Sequence, residues 1–463
     1  MQDAPAKRGF PERGGPVQVF YTKPGGLRRP TVARAEGLCF WDTDGRRYID
    51  ASSGPVATNI GHGNPRVLNA MAEQASKVCF ASRAVFENEP NIELADLMTG
   101  LAGPGFERAY FVSGGSEATE AVIKLARNYA VARGELARRK VIARDPGFHG
   151  TSFGAMAVTG DPVSLACYGP MLNVMPKVPA PFAYRTPPNF DAAGYAAFCA
   201  AELERVILEE GPEQVLAFIM EPVGGLATGA LVAPDSYYES IRSICDRYGV
   251  LLIYDEVMSG AGRTGTFLAA EHWPKARPDL ATLAKGVAAG YTPMGAVLAP
   301  ASIVDTVAAA GGFLHGHTYA ANPLSCAIGV AVLREVIDQG LMEKAATQGA
   351  YLRRKLEEIQ QGSAILGDIR GKGLLMAIEI VANRETKAIP PAECQAVYRL
   401  IELGLERGLL LYSRRTANGL YGEWLMITPA LTATQAELDE IAGKLAETLA
   451  AYEVELRASG LLH

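Results

Sequence analysis

Some kinds of residue are scarce in this sequence of 463 residues, and their scarcity excludes several chemistries. The seven cysteines form no C-x-x-C pair, which favours reduced thiols packed as small hydrophobic groups over disulfides or a zinc site. The six histidines offer one close pair, His315 and His317, without an acidic or cysteine partner at ligand spacing. We therefore expect no bound metal.

Long basic blocks and long apolar runs are missing as well. The formal net charge is −6, so we expect no nucleic-acid partner. No apolar run reaches the ~18 residues of a membrane span, and the opening "MQDAPAKRGFPERGG" contains no apolar signal core. These features predict a cytoplasmic protein without membrane attachment.

The chain has two features before its main α/β region. Residues 1–30 are rich in Gly, Pro and Arg and predict a loosely ordered arm. Residues 37–54, "GLCFWDTDGRRYIDASSG", have two alternating apolar runs on either side of a Thr-Asp-Gly turn, which predicts a β-hairpin.

Strand and helix patterns alternate from about residue 76 to residue 340. Predicted strands include "ERAYFV", "KVIARD", "VLAFIM", "VLLIYD" and "MGAVLA", and predicted helices include "SEATEAVIKLARNYAVARG" and "PDSYYESIRSICDRYG". This alternation predicts an α/β domain with a mostly parallel sheet. We predict three parts: an arm and part of a small domain over 1–75, the large domain over 76–340, and a C-terminal α+β small domain over 341–463. Both chain ends would then form the small domain.

Two motifs at predicted strand ends suggest binding of a charged ligand. "FVSGGSEATEAVIKLAR" (111–127) runs from a strand through a glycine turn into a helix, where Gly115 and Ser116 could hold a phosphate. A plain helix cap, with Ser116 capping and Glu117 in the first turn, is the simpler reading. "VLLIYDEVMSG" (250–260) is a buried-strand pattern ending at Asp255, whose carboxylate needs a cation there. We expect Glu256 to be structural, satisfied by backbone or by Arg263.

A third motif supplies an amine. In "LATLAKGVAAGYTPMGAVLA" (280–299), Lys285 lies among apolar residues, where it is either an extended surface side chain or a reactive amine of lowered pKa. A neutral lysine forms Schiff bases with carbonyl groups. Lys285, the glycine turn and Asp255 together match the aldehyde, phosphate and protonated ring nitrogen of pyridoxal phosphate. We therefore predict this cofactor.

The sequence resembles the class III pyridoxal-phosphate aminotransferases of the omega-amino-acid or amine:pyruvate group. The matching motifs are "SGGSEATEAVIKLAR", "GFHGTS", "MEPVGG", "YDEVMSGAGRTG", "AKGVAAGYTPMGAV" and "HTYAANPLSCA", and they cover roughly residues 30 to 455. The resemblance implies fold type I of these transferases, with a mostly parallel large domain and a smaller α+β domain. It implies amino transfer from an amine or omega-amino acid to a keto acid, pyruvate first, by a ping-pong mechanism between the aldehyde and amine forms of the cofactor.

The resemblance also implies roles for individual residues. Lys285 would bond the cofactor and move the proton, and Asp255 would pair with the ring nitrogen. Cofactor contacts are expected at Gly115 and Ser116 (phosphate), Val257 and Phe148 (the two ring faces), and Glu221 (near the ring hydroxyl). Thr318 would reach the phosphate of a neighbouring subunit, which implies a homodimer or a dimer of such dimers.

The sequence departs from the family pattern around the substrate. Phe148 stands where the family usually has Tyr, and Val56 stands where many members have a bulky aromatic. Tyr412 occupies the usual place of the carboxylate-binding arginine, while Arg414 and Arg415 follow in "GLLLYSRRTANGLYGEW". Either arginine could bind a substrate carboxylate or lie at the surface. Phe86 and Tyr291 complete the predicted substrate residues.

Other functions remain open on the same motifs. An aminomutase or a decarboxylating transaminase would share the cofactor geometry, and a non-catalytic homologue would be expected to have lost Lys285 or Asp255. The donor could be a diamine, an omega-amino acid, an arylalkylamine or a long amino alcohol. Pyruvate is favoured over 2-oxoglutarate only by the displaced arginine.

Overall fold

The computed structural model describes residues 29–462. Most of the predicted N-terminal arm, residues 1–28, lies outside the described residues. In chain order the strands are β1 (Val32–Glu36), β2 (Cys39–Asp42), β3 (Arg47–Asp50), β4 (Arg108–Val112), β5 (Lys140–Asp145), β6 (Lys177–Pro179), β7 (Val215–Met220), β8 (Leu251–Asp255), β9 (Leu280–Ala284), β10 (Gly295–Ala299), β11 (Leu366–Lys372), β12 (Leu375–Ile380), β13 (Leu409–Leu410) and β14 (Trp424–Ile427).

The helices surround three separate sheets. They are α1 (Ser53–Val56), α2 (Pro65–Lys77), α3 (Glu89–Ala102), α4 (Gly115–Ala132), α5 (Phe153–Val158), α6 (Pro162–Tyr168), α7 (Ala192–Glu210), α8 (Asp235–Tyr248), α9 (Ala301–Ala309), α10 (Pro323–Asp338), α11 (Leu341–Gly362), α12 (Ala396–Glu406) and α13 (Gln435–Ala458). Among residues 29–462 no helix combines the length and apolarity needed to cross a membrane.

A seven-stranded sheet in the order β4-β10-β9-β8-β7-β5-β6 forms the centre of the molecule. Its neighbouring strands are parallel, except that β10 runs antiparallel to both β4 and β9. Every residue of β7 is buried, as expected for a central strand with helices on both faces. The predicted strands at β4, β5, β7, β8 and β10 are confirmed.

The predicted hairpin over residues 37–54 is also confirmed. β2 and β3 pair antiparallel, with Cys39 opposite Ile49. β13 then joins β3 in parallel, with Leu409 opposite Ile49, so this four-stranded sheet takes strands from both ends of the chain. A third sheet, β11-β12-β14, comes from the C-terminal part alone. The domain limits at 75 and 340 remain predictions.

Local signals explain where several helices begin and end. Gly249 adopts a left-handed conformation (φ 61°) and ends α8, which a residue with a side chain would do less easily. Thr434 and Glu437 form a reciprocal capping box that begins α13. This reciprocal cap fixes the start of the long C-terminal helix at Gln435.

Candidate active site

A cavity of about 390 Å³ opens at the carboxyl ends of the parallel strands. It is lined by residues at or just after the ends of β4, β7, β8 and β9, which is where ligands gather in open α/β sheets. Eight predicted site residues line it: Gly115, Ser116, Phe148, Glu221, Asp255, Val257, Lys285 and Arg414. The structure therefore brings together residues that are up to 299 positions apart in the chain.

Lys285 follows β9 directly and lines this cavity. Its backbone has a φ of 44°, a left-handed conformation that costs energy in a residue with a side chain and is typical of functional sites. Desolvation by the surrounding protein lowers the pKa of Lys285 to about 8, although the carboxylates of Asp255 and Glu221 act in the opposite direction. The amine is therefore partly neutral, and so nucleophilic, at ordinary pH.

Asp255 ends β8 and is held by two hydrogen bonds. Its Oδ1 accepts from the backbone N–H of Val257 at 3.0 Å, and its Oδ2 lies 2.8 Å from Nδ1 of His149. This contact joins the ring nitrogen and the carboxylate directly, without an intervening group. Both side chains are buried, which orients the carboxylate firmly.

His149 is a site residue that the sequence interpretation missed. It lines the cavity beside Phe148, and its Nε2 is buried without a hydrogen-bond partner among the described residues. Thr119 and Thr159 fix its backbone, by donating to its carbonyl at 2.7 Å and accepting from its N–H at 2.9 Å. Its position in "GFHG", directly after a residue already assigned to the ring face, was the available signal.

The glycine turn differs from a plain helix cap. Gly114 is the N-cap of α4 and provides no side-chain cap, while Glu117 accepts from the N–H of Ser113 at 2.8 Å. Ser116 accepts from the N–H of Thr151 at 3.0 Å, which leaves its own hydroxyl proton free to donate. A Cβ on Gly115 would lie 3.0 Å from Cγ1 of Val257, so glycine lets Val257 pack closely against this turn. An uncapped helix N-terminus with a nearby hydroxyl is suited to an anion.

Two acidic residues near Asp255 have separate surroundings. Glu221 lines the cavity and accepts from the N–H groups of Gly225 at 2.8 Å and Phe148 at 3.3 Å, and burial raises its pKa. Glu256 does not line the cavity and accepts from Ser259 and from the backbone N–H groups of residues 269 and 270. Its expected structural role is confirmed for the backbone partners, whereas Arg263 donates to other groups, Asn59 among them.

Arg414 and Arg415 point to different partners. Arg414 lines the cavity, stacks over the ring of Phe148 at 5.3 Å and lies 3.6 Å from Oδ2 of Asp161. Arg415 does not line the cavity, and its Nε lies 2.7 Å from Oε1 of the buried Glu423. Of the two arginines, Arg414 is therefore the one whose side chain borders the cavity.

Besides Arg415, four other predicted residues do not line the cavity of the described chain. Val56 is buried, Tyr291 bonds to the backbone of Asn64 and Gly61, and Phe86 and Thr318 are exposed. Residues next to two of them in the chain line the cavity instead: Ala57 beside Val56, and Gly290 and Thr292 beside Tyr291. The lining residues not predicted include Ala57, His149, Leu226, Met258, Thr292 and Tyr412.

Comparison with known proteins identifies the family. The model of the family described as Aminotransferase class-III matches residues 25–449. The chain belongs to the class III aminotransferases. It is therefore a pyridoxal-phosphate-dependent transferase, as the resemblance implied.

Individual relatives differ in substrate. An uncharacterized aminotransferase, YodT of Bacillus subtilis, is 35% identical over 92% of this chain and 96% of its own. Taurine–pyruvate aminotransferase of Rhodobacter capsulatus is 33% identical, covering 88% of each chain. Diaminobutyrate–2-oxoglutarate transaminase of Halomonas elongata is 32% identical over 89% of this chain and 88% of its own. Identity of this order does not determine the acceptor.

Solved structures share the whole fold. A thermostable (S)-enantioselective omega-transaminase from Thermomicrobium roseum has a TM-score of 0.85 at 34% identity, covering 91% of this chain and 92% of its own. The omega-transaminase from Pseudomonas jessenii in complex with PMP has a TM-score of 0.85 at 30% identity, with the same coverage. The large sheet and the smaller domain thus correspond to fold type I of the pyridoxal-phosphate transferases, which confirms the predicted fold class.

The cavity fits this cofactor on its own evidence. It combines an uncapped helix N-terminus for a phosphate, a buried carboxylate for a protonated ring nitrogen and a lysine of lowered pKa for an aldehyde. Glycine at position 150 keeps the cradle open, because a Cβ there would lie 2.7 Å from Oγ of Ser116. Residues 29–462 contain no group of three or more His, Cys, Asp or Glu side chains placed to hold a metal ion.

Proposed function

We propose that this aminotransferase moves the amino group of an amine or omega-amino acid to pyruvate by a ping-pong mechanism with two half-reactions. The observation that carries the proposal is the composition of the cavity wall. Apolar groups such as Ala57, Leu226 and Met258 line the cavity. The described residues that line it include a single arginine, Arg414. An apolar wall accommodates a donor without a carboxylate, while one arginine pairs with the single carboxylate of pyruvate.

The number of cations favours pyruvate over 2-oxoglutarate. The second carboxylate of 2-oxoglutarate would need another partner, because burying an unpaired charge is costly. The described residues that line the cavity include one further cationic side chain, Lys285. Lys285 is needed for the chemistry and cannot also bind a second carboxylate. Arg415 is paired with Glu423 and cannot serve without leaving a buried acid alone.

The proposed roles of the residues follow from their positions. Bound pyridoxal phosphate supplies an aldehyde for the amino group and an aromatic ring that accepts the electrons released at the substrate carbon. Asp255, oriented by His149, would hold the proton on the ring nitrogen, and the N-terminus of α4 with Ser116 would bind the phosphate. Phe148 and Val257 would enclose the ring.

Proton movement is assigned to Lys285. Its Nζ would take the proton from the substrate carbon next to nitrogen and deliver it to the cofactor carbon that carried the aldehyde, acting as both base and acid. The lowered pKa suits both duties, because a group with a pKa near the working pH can accept and release protons readily. Glu221 would bound the site on the ring-hydroxyl side.

We also infer a homodimer in which Thr318 reaches the phosphate of the neighbouring subunit. Support comes from exposed apolar side chains close to Thr318, since Leu314 is 80% exposed and Tyr319, packed against Phe80, is 62% exposed. Large exposed apolar side chains that cluster mark interaction surfaces. Sedimentation of the purified protein and the cofactor affinity of Thr318→Ala test this inference. A cytoplasmic location stays a prediction.

The visible spectrum of the purified, cofactor-loaded protein tests the proposal. Amines of each donor class are added one at a time, and pyruvate or 2-oxoglutarate follows. We expect the yellow absorption band to bleach with amines that lack a carboxylate and to return more readily with pyruvate. A band that bleaches and returns only with 2-oxoglutarate would refute the assigned acceptor, and one that no amine bleaches would favour a mutase or decarboxylase.

A further inference from the structure

We propose that Asp161 is a competing counterion for Arg414 and thereby sets how strongly the enzyme binds carboxylate substrates. This inference rests on the proposed function, in which Arg414 meets the carboxylate of the acceptor. Oδ2 of Asp161 lies 3.6 Å from Nη2 of Arg414, and Asp161 is buried. A substrate carboxylate that reaches Arg414 therefore replaces a carboxylate of the protein itself.

Asp161 is fixed in place by bonds that do not involve Arg414. It is the N-cap of α6, where Oδ1 accepts from the N–H of Val163 at 3.3 Å and Oδ2 accepts from the hydroxyl of Ser164 at 2.7 Å. The preceding residue, Gly160, exchanges two backbone hydrogen bonds with Gly147, of 3.0 and 3.1 Å. Asp161 and the loop that carries Phe148 thus form one rigid unit.

The side chain of Arg414 is held much less firmly. Its 3.6 Å contact with Asp161 is longer than a hydrogen bond, and its Nε has no hydrogen-bond partner among the described residues. The side chains of the two adjacent residues, in contrast, are held in place. The hydroxyl of Ser413 donates to the carbonyl of Trp424, and Arg415 forms an ion pair with Glu423. Arg414 can therefore change partners by side-chain rotation alone.

Phe148 gives the guanidinium a surface to lie on. The 5.3 Å stack is favourable for a cation and does not use the N–H donors of Arg414. With a donor that lacks a carboxylate, Arg414 stays paired with Asp161 and its charge is neutralised. With a keto acid, the substrate carboxylate takes the place of Asp161. The ion pair thus favours apolar donors and weakens the binding of ligands whose carboxylate pairs with Arg414.

Propionate is the probe, because it has the chain length and carboxylate of pyruvate but no keto group to react. Its dissociation constant for the cofactor-loaded protein is measured by titration calorimetry. Asp161→Asn and Asp161→Ser both remove the charge and keep a good helix cap, so two folded variants are available. We expect both to bind propionate about two- to fivefold more tightly than the original protein, the range of a partly exposed ion pair.

Two controls separate competition from structural damage. Ser164→Ala removes a hydrogen bond from Asp161 but leaves its charge, so propionate binding should stay equal or become weaker, never tighter. In an Arg414→Leu background, Asp161→Asn should no longer tighten binding, because the competing pair is already absent. In the kinetics, Asp161→Asn should lower KM for pyruvate and leave KM for an apolar amine equal or higher.

The outcomes distinguish this inference from the proposed function. If Arg414→Leu binds propionate as well as the original protein does, Arg414 is not the carboxylate site and both proposals fail. If Arg414→Leu weakens binding but neither neutral variant at position 161 tightens it, only the competing role of Asp161 is refuted. Tightening that persists in the Arg414→Leu background would also refute it.

Discussion

The two sides of the active-site cavity are built in different ways. On the cofactor side, Asp255, Ser116 and Glu221 follow strands or begin a helix and are held by hydrogen bonds of 2.8 to 3.3 Å. On the substrate side, Ala57 and Arg414 come from irregular segments near opposite ends of the chain. The guanidinium of Arg414 lies over the ring of Phe148 and forms an ion pair of 3.6 Å with Asp161. In the proposed function, the groups that carry the chemistry are thus fixed, whereas the arginine that selects the substrate is free to move.

Removal of the Lys285 side chain should have the largest effect on activity. It tests the cofactor side of the cavity. Lys285→Ala should keep the fold and lose steady-state turnover by at least about 10⁴-fold, because the nucleophile and the proton-transferring group are removed together. Stopped assays of donor consumption measure the loss. A thermal unfolding curve close to the original controls for folding. Retention of substantial turnover would contradict the proposed mechanism.

Neutralising Asp255 should have the next largest effect. Asp255→Asn should lower kcat by on the order of 10²–10³-fold, since a preorganised charge at the ring nitrogen is lost. Glu256→Gln is the matched control, because Glu256 is an adjacent buried acid that does not line the cavity. It should reduce stability more than kcat. Equal losses of kcat in both variants would mean that Asp255 acts only through structure.

Replacing Arg414 tests the substrate side of the cavity. Arg414→Leu should raise KM for pyruvate about ten- to hundredfold, the range of one hydrogen bond to a charged group, with little change in KM for an apolar amine. Arg415→Lys keeps a cation beside Glu423 and serves as the control. A rise in KM for pyruvate in the Arg415 variant, with none in the Arg414 variant, would reverse the assignment of the two arginines.

The rate of cofactor uptake should depend on pH and should fall as the pH is lowered. We expect this effect to be smaller than those of the substitutions above. The neutral amine of Lys285 is the nucleophile, so the rate at which cofactor-free protein takes up pyridoxal phosphate should fall about tenfold per pH unit below the pKa. With a pKa of about 8, the rate should level off above that pH. Absorbance during mixing measures it. A rate that keeps rising toward pH 10 would show that Lys285 is not desolvated.

Phe148→Tyr should have the smallest effect. The ring face that carries Arg414 is retained and only a hydroxyl is added, so kcat and KM should change by less than about threefold. Phe148→Ala is the contrasting variant and should impair both, because the stack with Arg414 and the cover of the ring are lost. Parallel kinetics with pyruvate compare the two. A large effect of the tyrosine would show that the hydroxyl reaches substrate or cofactor.

The cofactor side was readable from the sequence because its residues occur in contiguous motifs at strand ends. β8 and the turn before α4 place Asp255, Gly115 and Ser116 with little ambiguity, since strand ends converge at one edge of the sheet. Two strands of the large sheet, β6 and β9, were not predicted. β9, "LATLA", consists mainly of Leu and Ala, which favour helix by intrinsic propensity. Its complete burial in the sheet outweighs that preference.

The substrate side was predicted less well because irregular segments have no periodicity. Ala57 lines the cavity where Val56 was expected, and Gly290 and Thr292 line it where Tyr291 was expected. Val56 has a φ of 60°, a conformation that a hydrophobic pattern cannot reveal. An error of one residue in such a segment turns a side chain away from the site, which also explains why Arg414 and Arg415 could not be told apart.

The parallel pairing of β3 with β13 has a consequence for how the protein is made. Leu409 of β13 lies opposite Ile49 of β3. β3 therefore pairs with a strand that is synthesised about 360 residues later. Ala51 and Thr428 are joined by a backbone hydrogen bond of 2.7 Å across a similar separation. Contacts this distant form late, because the intervening chain must first be ordered. During synthesis on the ribosome, all seven strands of the large sheet emerge before residues 412 and 414, so we expect the wall that carries Ala57, Tyr412 and Arg414 to be completed after that sheet.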